Sequence, residues 1–141
     1  MKKLTKTLLI AAGLVLSQAS GAQVVVVAGT HSAASTLTME QVASLFLGKS
    51  AQVPGMGVAL LLDQPESAAV RELFYTKVTG KSTAQIKAAW SRLVFSGKAT
   101  PPKEIANSAA VKKMVAANPN TLGYIEKSAV DASVKVLLTV D

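Results

Sequence analysis

The chain has 141 residues, of which 50% are hydrophobic and 16% are charged, and its formal net charge is +7. This balance excludes an intrinsically disordered chain, which would combine low hydrophobicity with high charge. The length is that of one domain. The absence of cysteine excludes disulfides, thiol catalysis and thiolate metal sites.

Residues 1–22 have the layout of a secretory signal peptide. Three lysines lead into an apolar run over residues 8–16, and the small residues Ser20 and Ala22 precede the predicted cleavage point. A membrane anchor, the alternative interpretation, needs roughly 18 or more apolar residues. No cysteine is available for a lipid anchor. The sequence therefore predicts export to a bacterial periplasm as a single domain of residues 23–141, with no membrane insertion after cleavage.

The first third of the mature chain predicts a strand, a helix and a second strand. Residues 24–28 form a continuous β-branched run, which is typical of a strand buried on both faces. Thr38 followed by Gln41 forms a capping box, and Gly48 ends the helix that it starts. A Pro- and Gly-rich turn then leads into the predicted strand 58–62.

Two helices are predicted next. The first begins near Glu66 or Ser67 and ends at Gly80. The second is capped by Thr83, and its apolar side chains recur at helical spacing. These apolar positions are Ile86, Ala89, Trp90, Leu93 and Val94.

The last third of the chain predicts a short edge strand, a helix and two closing strands. The edge strand covers residues 103–106, the helix runs from a cap at Ser108 to Asn118, and the closing strands lie at 123–125 and 134–140. Together the elements predict one α/β domain with a mixed sheet of about five strands and helices on both faces of the sheet.

Motifs for catalysis, metals and cofactors are missing. His31 is the only histidine, so a two-histidine metal site or a histidine relay cannot form within one chain. The Gly-Lys-Ser triplets at 48–50 and 80–82 lack the earlier glycine of a phosphate-binding loop. Asp63 and Glu66 flank a predicted helix start, which favours a role at the helix terminus over an acid/base pair. We expect no enzyme activity, no metal and no cofactor.

Nucleic acid is not an expected partner. Without the leading segment, 12 basic residues stand against 8 acidic ones, and aromatic residues make up only 4% of the chain. A stacking surface for bases needs more aromatic side chains. The lysines therefore indicate solvated helix faces.

Several motifs resemble those of phosphate-type periplasmic solute-binding proteins. They are LTMEQVASLFLGK at 37–49, RELFY followed by VTGKS within 71–82, WSRLVFSG and PPK within 90–103, and VAANPNTLGYI at 115–125. The resemblance covers roughly residues 37–126. It implies the fold of a single lobe of a type II periplasmic binding protein, and a membrane transporter or receptor as a protein partner.

The resemblance also implies a binding site for phosphate or another small oxyanion. The family typically places Asp-Gly-Ser-Gly-Thr before the Arg-Glu-x-Phe helix, whereas Ala68, Ala69 and Val70 stand here at the Ser-Gly-Thr positions. Ser67 remains, and Arg71 matches a common family residue.

Physical chemistry supports an oxyanion at this helix start. A helix N-terminus attracts anions through its free N–H groups. Ser67, Arg71, Thr30 and Ser32 are the candidate ligands, because they can add hydroxyl and guanidinium donors. Two interpretations stay open: an oxyanion-binding module, or a ligand-free single-lobe interaction or sensory partner.

Overall fold

The computed structural model describes residues 23–141, so the predicted signal peptide at 1–22 lies outside the described residues. Five strands form a mixed sheet in the order β5-β4-β6-β1-β7, and two further strands, β2 and β3, form a short antiparallel pair. The strands are β1 Val24–Gly29, β2 Gln52–Val53, β3 Gly57–Val58, β4 Leu60–Asp63, β5 Lys103–Glu104, β6 Thr121–Glu126 and β7 Val134–Val140. The predicted α/β class and the mixed five-stranded sheet are confirmed.

Helices cover both faces of this sheet, as the sequence predicts. They are α1 Met39–Phe46, α2 Ala69–Thr79, α3 Thr83–Phe95 and α4 Ser108–Ala117, with a 3-10 turn at Lys127–Ala129. Alternate valines of β1 point to opposite faces. One set packs with α1, α2 and α3, and the other packs with α4. Within residues 23–141, no helix is long and apolar enough to cross a membrane.

Several boundaries differ from the sequence-based expectation. The edge strand β5 ends at Glu104 rather than at residue 106, and β6 covers Thr121–Glu126 rather than 123–125. The predicted strand 58–62 is broken, because Val58 pairs in the β2–β3 hairpin and the sheet strand begins at Leu60. Ser82 caps α3 in place of Thr83, and Asn107 caps α4 in place of Ser108. In both cases the true cap lies one residue earlier and accepts a hydrogen bond from a backbone N–H in the first turn.

The start of α2 also differs from the prediction. This helix begins at Ala69 rather than near Glu66 or Ser67, because residues 65–68 form a turn in which the Ala68 N–H donates to the Pro65 carbonyl. The helix ends at Gly80 as predicted, with φ of 69°, a left-handed conformation that favours glycine.

Strand direction determines which loops lie near each other. β4 runs parallel to β5 and β6, whereas β1 runs antiparallel to β6 and β7. Leu60 at the start of β4 pairs with Thr121, and Val24 at the start of β1 pairs with Glu126. The C-terminal end of β4 and the C-terminal end of β1 therefore lie at opposite edges of the sheet.

Candidate functional site

A buried carboxylate, Asp63, ends strand β4 and accepts four hydrogen bonds. Its Oδ1 accepts from the Gln64 backbone N–H at 2.8 Å, from Arg71 Nε at 3.3 Å and from the Tyr124 hydroxyl. Its Oδ2 accepts from the Tyr75 hydroxyl at 2.6 Å. Four donors satisfy both oxygens, which is what a buried carboxylate requires to stay charged. We call these five residues the Asp63 cluster.

The local folding of the chain explains how the cluster assembles. Arg71 and Tyr75 are one helical turn apart on α2, so their side chains share one face of the helix. The Arg71 guanidinium lies 5.1 Å from the centre of the Tyr75 ring. Tyr124 comes from β6, the parallel neighbour of β4, and its hydroxyl also accepts a hydrogen bond from the Gln64 N–H at 3.1 Å.

Aromatic rings seal the inner side of the Asp63 cluster. Phe74 stacks on Tyr124 with 4.0 Å between ring centres and 7° between planes. Phe46 meets Phe74 edge-on at 4.8 Å and Tyr75 edge-on at 6.3 Å. All four rings are fully buried. Polar groups in such a dry environment interact more strongly than they do in water.

Burial and charge shift the pKa values of the partners of Asp63. Burial raises the pKa of both Tyr75 and Tyr124 above the ordinary value of tyrosine, and the negative charge of Asp63 raises both further. Burial acts to lower the pKa of Arg71, but the charge of Asp63 and the two tyrosines outweigh it, so the pKa of Arg71 is raised. At neutral pH the tyrosines are therefore hydrogen-bond donors and Arg71 is a cation.

Arg71 retains unused N–H donors on its Nη1. Its side chain is 10% exposed, and its Nε is held by Asp63. Its Nη1 is buried and has no hydrogen-bond partner. No other buried side-chain nitrogen or oxygen of residues 23–141 is left in this state. A buried polar group in this state costs free energy, about 1–3 kcal/mol in typical cases. A ligand acceptor that reached this nitrogen after a shift of the side chain would remove that cost.

Arg71 and Asp63 line an open cleft of about 520 Å³. The cleft lies between the end of β4, the first turn of α2, one side of α3 and the loop before β5. The residues that line it are Asp63, Gln64, Glu66, Arg71, Ile86, Lys87, Trp90, Ser91, Val94, Phe95, Pro101, Pro102 and Glu104. Trp90 is anchored by a hydrogen bond of 2.8 Å from its Nε1 to the Phe46 carbonyl. The cleft is therefore part polar and part apolar, with a volume in the usual range for a small organic ligand.

The structure separates the four predicted ligand residues into two groups. Arg71 lies in the cleft, and Ser67 is exposed in the turn before α2. Among residues 23–141, the lining of the cleft includes Arg71 but not Ser67. Thr30 and Ser32 follow β1 and therefore lie at the opposite edge of the sheet. The four residues do not form one site.

The hydroxyl and carbonyl of Ser32 already have partners within the chain. Its Oγ accepts from the Ala34 N–H at 3.1 Å, and its carbonyl accepts from Lys135 Nζ. Ser32 is buried, whereas Thr30 is exposed beside it.

The prediction that Asp63 and Glu66 act at the helix terminus was wrong. Asp63 precedes α2 by several residues and binds side chains from α2 and β6. Glu66 is exposed and forms an ion pair of 3.6 Å with Lys87. The signal for the Asp63 cluster was an acid at the end of a buried strand with Arg71 and Tyr75 on one face of the next helix. Tyr124 lies 61 residues further on and had no local signal.

Metal binding has no support in the described part of the chain. Within residues 23–141, no group of three or more His, Cys, Asp or Glu side chains could hold a metal ion. His31 is exposed in the loop after β1.

Comparison with known proteins finds matches to the structure of the chain. No protein-family profile and no curated protein matches the sequence. The structure superposes 82% of this chain on 45% of a protein described as a phosphate ABC transporter substrate-binding protein with bound phosphate, from Clostridium perfringens, with a TM-score of 0.64 and 20% identity.

Two further structures give the same result. An ABC-type phosphate transport receptor from Vibrio cholerae matches 82% of this chain over 46% of its own length, with a TM-score of 0.63 and 19% identity. PstS from Borrelia burgdorferi matches 82% over 47%, with a TM-score of 0.60 and 10% identity. The chain spans less than half the length of these proteins.

The fold is thus that of a single lobe of a periplasmic binding protein, as the sequence motifs predict. Two of these structures are described as phosphate transport proteins.

Proposed function

We propose that the chain is an exported binding module that holds a small oxyanion, with phosphate as the reference ligand, at the first turn of α2. The observation that carries the proposal is the buried, unpartnered Nη1 of Arg71 in a side chain that lines the cleft. Arginine donors are well suited to oxyanions, because two N–H groups can bind two oxygens of one anion.

The surroundings of Arg71 support this role. Asp63 holds the Nε and keeps the guanidinium in place, which lowers the entropy cost of binding. The N-cap residue Ala68 has no side chain that can accept from the first-turn amides, so the positive end of the helix dipole is not offset by a cap. Ser67, exposed in the preceding turn, is proposed as an additional hydroxyl donor.

Location and partner follow from the same proposal. The layout of residues 1–22 supports cleavage and export to the periplasm. The structurally similar proteins are described as phosphate transport proteins, which supports a membrane transporter or receptor as the protein partner.

The test is isothermal titration of the purified protein with phosphate and then sulfate. We expect saturable one-site heat that weakens at least about tenfold in Arg71→Gln, since a charged hydrogen bond is lost. Arg92→Gln is the matched control, because Arg92 is the other arginine of the chain and is exposed on α3.

Loss of folding must be separated from loss of binding. Circular dichroism of each variant checks the fold, and Arg71→Lys keeps the charge while removing the planar fork. We expect Arg71→Lys to bind with intermediate affinity. Equal affinity in the wild type, Arg71→Gln and Arg92→Gln would refute the assignment of Arg71.

A second candidate is a ligand-free interaction or sensory partner, the other interpretation that the sequence leaves open. The observation that favours it is Phe95, a large apolar side chain that is 95% exposed at the end of α3. A purified protein that gives no heat with any oxyanion, but binds a periplasmic protein through a surface disrupted by Phe95→Ser, would favour this function over the first.

A further inference from the structure

The cleft beside Arg71 has an extended apolar wall. One side of α3 contributes Ile86, Trp90, Val94 and Phe95, and the loop before β5 contributes the pair at 101–102. Val94 is 50% exposed and Phe95 is 95% exposed. The sequence pattern predicts that Val94 belongs to the apolar stripe of α3, yet in the structure this side chain is left half in solvent. A ligand that covers apolar surface of this kind removes it from water, which favours binding.

The charges of the cleft do not suit a dianion. Of the described residues that line it, three are acidic, namely Asp63, Glu66 and Glu104, and two are basic, namely Arg71 and Lys87. Glu104 sits opposite Asp63 across the β4–β5 pair. Arg71 is already paired with Asp63, and Lys87 with Glu66. One negative charge is in surplus, so each negative charge on a ligand meets repulsion, and a dianion meets about twice as much as a monoanion.

The volume of the cleft exceeds the needs of an inorganic oxyanion. A space of about 520 Å³ falls in the range of pockets that hold organic molecules. Such pockets combine apolar walls with a few polar groups that fix orientation. Here Arg71 is the polar anchor, and the side chains of α3 and the proline pair form the wall.

We propose that the ligand is an organic monoanion whose apolar, ring-sized group covers Trp90, Val94 and Phe95 while its anionic oxygens accept from Arg71. An arylalkyl carboxylate is the simplest ligand of this chemistry. This inference rests on the proposed function, because it assigns the anion to the same guanidinium. It differs in naming the apolar group as a main source of affinity.

The experiment compares matched probes by isothermal titration, with Trp90 fluorescence as a second readout, because Trp90 is the only tryptophan. Phenylacetate is compared with acetate, from which it differs by the ring alone, and phenyl phosphate is compared with phosphate as a second pair. Phenylacetamide has the ring without the charge. We expect the ring to improve affinity at least about tenfold within each pair, from buried apolar area. We expect phenylacetate to bind more tightly than both phenylacetamide and phenyl phosphate.

Two surface variants test where the ring binds. Phe95→Ser removes an exposed side chain of the wall, so the fold does not depend on it, and we expect it to abolish most of the gain from the ring. Val58→Ser is the matched control, because Val58 is 67% exposed in the β2–β3 hairpin. We expect it to leave both probe pairs unchanged.

The outcomes separate the inference from the proposed function. If each pair binds with equal affinity and Arg71→Gln abolishes binding, the proposed function stands and the apolar inference fails. If no anion binds, both fail. If phenylacetamide binds as tightly as phenylacetate, or phenyl phosphate binds more tightly than phenylacetate, the monoanion assignment is refuted.

Discussion

The two edges of the sheet differ in how their polar groups are satisfied. At the C-terminal end of β1, the Ser32 N–H donates to the Gly29 carbonyl at 3.0 Å, and the Ser32 hydroxyl and carbonyl have partners within the chain. At the C-terminal end of β4, Asp63 is equally well satisfied, but the buried Nη1 of Arg71 has no hydrogen-bond partner. A polar residue type in a loop is therefore a weaker indicator of a site than an unmet hydrogen bond.

The largest expected change in stability is at the C-terminal end of β4. Asp63→Asn removes the charge that balances Arg71 and replaces one of the two oxygens that accept from Tyr75 and Tyr124 with an NH₂ donor. Removing one partner of a buried ion pair leaves the other charge uncompensated, so we expect the free energy of unfolding to fall by about 3 kcal/mol. Urea denaturation followed by Trp90 fluorescence measures the change.

The control is an exposed aspartate with its own partners. Asp131 accepts from Ser133, and its carboxylate lies 2.9 Å from Lys112 Nζ. Because water can replace these contacts, we expect Asp131→Asn to cost far less. Equal losses in the two variants would mean that Asp63 is no more important than a surface acid.

Alkaline pH tests the same cluster through its hydroxyls. Tyr75 and Tyr124 are the only tyrosines of the chain, and the pKa of each is raised in the folded state. Unfolded tyrosines release their protons near pH 10 while the folded ones keep theirs, so the free energy of unfolding falls as the pH rises above about 10. The slope is about 1.4 kcal/mol per pH unit for each tyrosine.

Absorbance of tyrosinate at 295 nm measures this directly. We expect no tyrosine ionisation until the protein unfolds, and then both together. Tyr75→Phe should halve the slope of stability against pH. A titration at the ordinary pKa of tyrosine in the folded protein would contradict the hydrogen bonds of the Asp63 cluster.

Local sequence signals predicted most of the fold. The site could not be predicted in this way, because it depends on the pairing of strands that are far apart in the sequence. The capping box at Thr38, apolar spacing and the β-branched run located the helices and β1, because each acts within a few residues. The Asp63 cluster joins β4, α2 and β6, and its Tyr124 becomes a neighbour only through the pairing of Leu60 with Thr121. The sequence likewise did not predict that Thr30 lies far from Arg71. This separation arises because β1 runs antiparallel to β6, whereas β4 runs parallel to it.

The backbones of β1 and α4 lie close together at the C-terminal end of β1, and this packing can be tested. A Cβ added at Gly29 would lie 2.4 Å from the Val115 carbonyl oxygen, which belongs to the backbone of α4. A Cβ added at Gly123 would meet a Val111 methyl at 2.6 Å, a side chain that can shift. We expect Gly29→Ala to lower the free energy of unfolding by about 2 kcal/mol and Gly123→Ala to lower it less. Thermal denaturation of both variants checks the order, and a larger loss at Gly123 would contradict it.

The smallest expected effect concerns binding at the β1 edge. Ser32→Ala leaves the Ala34 N–H without its side-chain acceptor, and we expect a loss of about 1 kcal/mol in the free energy of unfolding. Thr30→Val keeps the shape of an exposed side chain and should change stability little. Neither residue lies near Arg71, so we expect both variants to bind oxyanions with the affinity of the wild type, measured by the same titration. A loss of affinity in Thr30→Val as large as that in Arg71→Gln would show that the anion reaches the β1 edge. It would overturn the conclusion that the unmet donor, rather than the loop hydroxyls, marks the site.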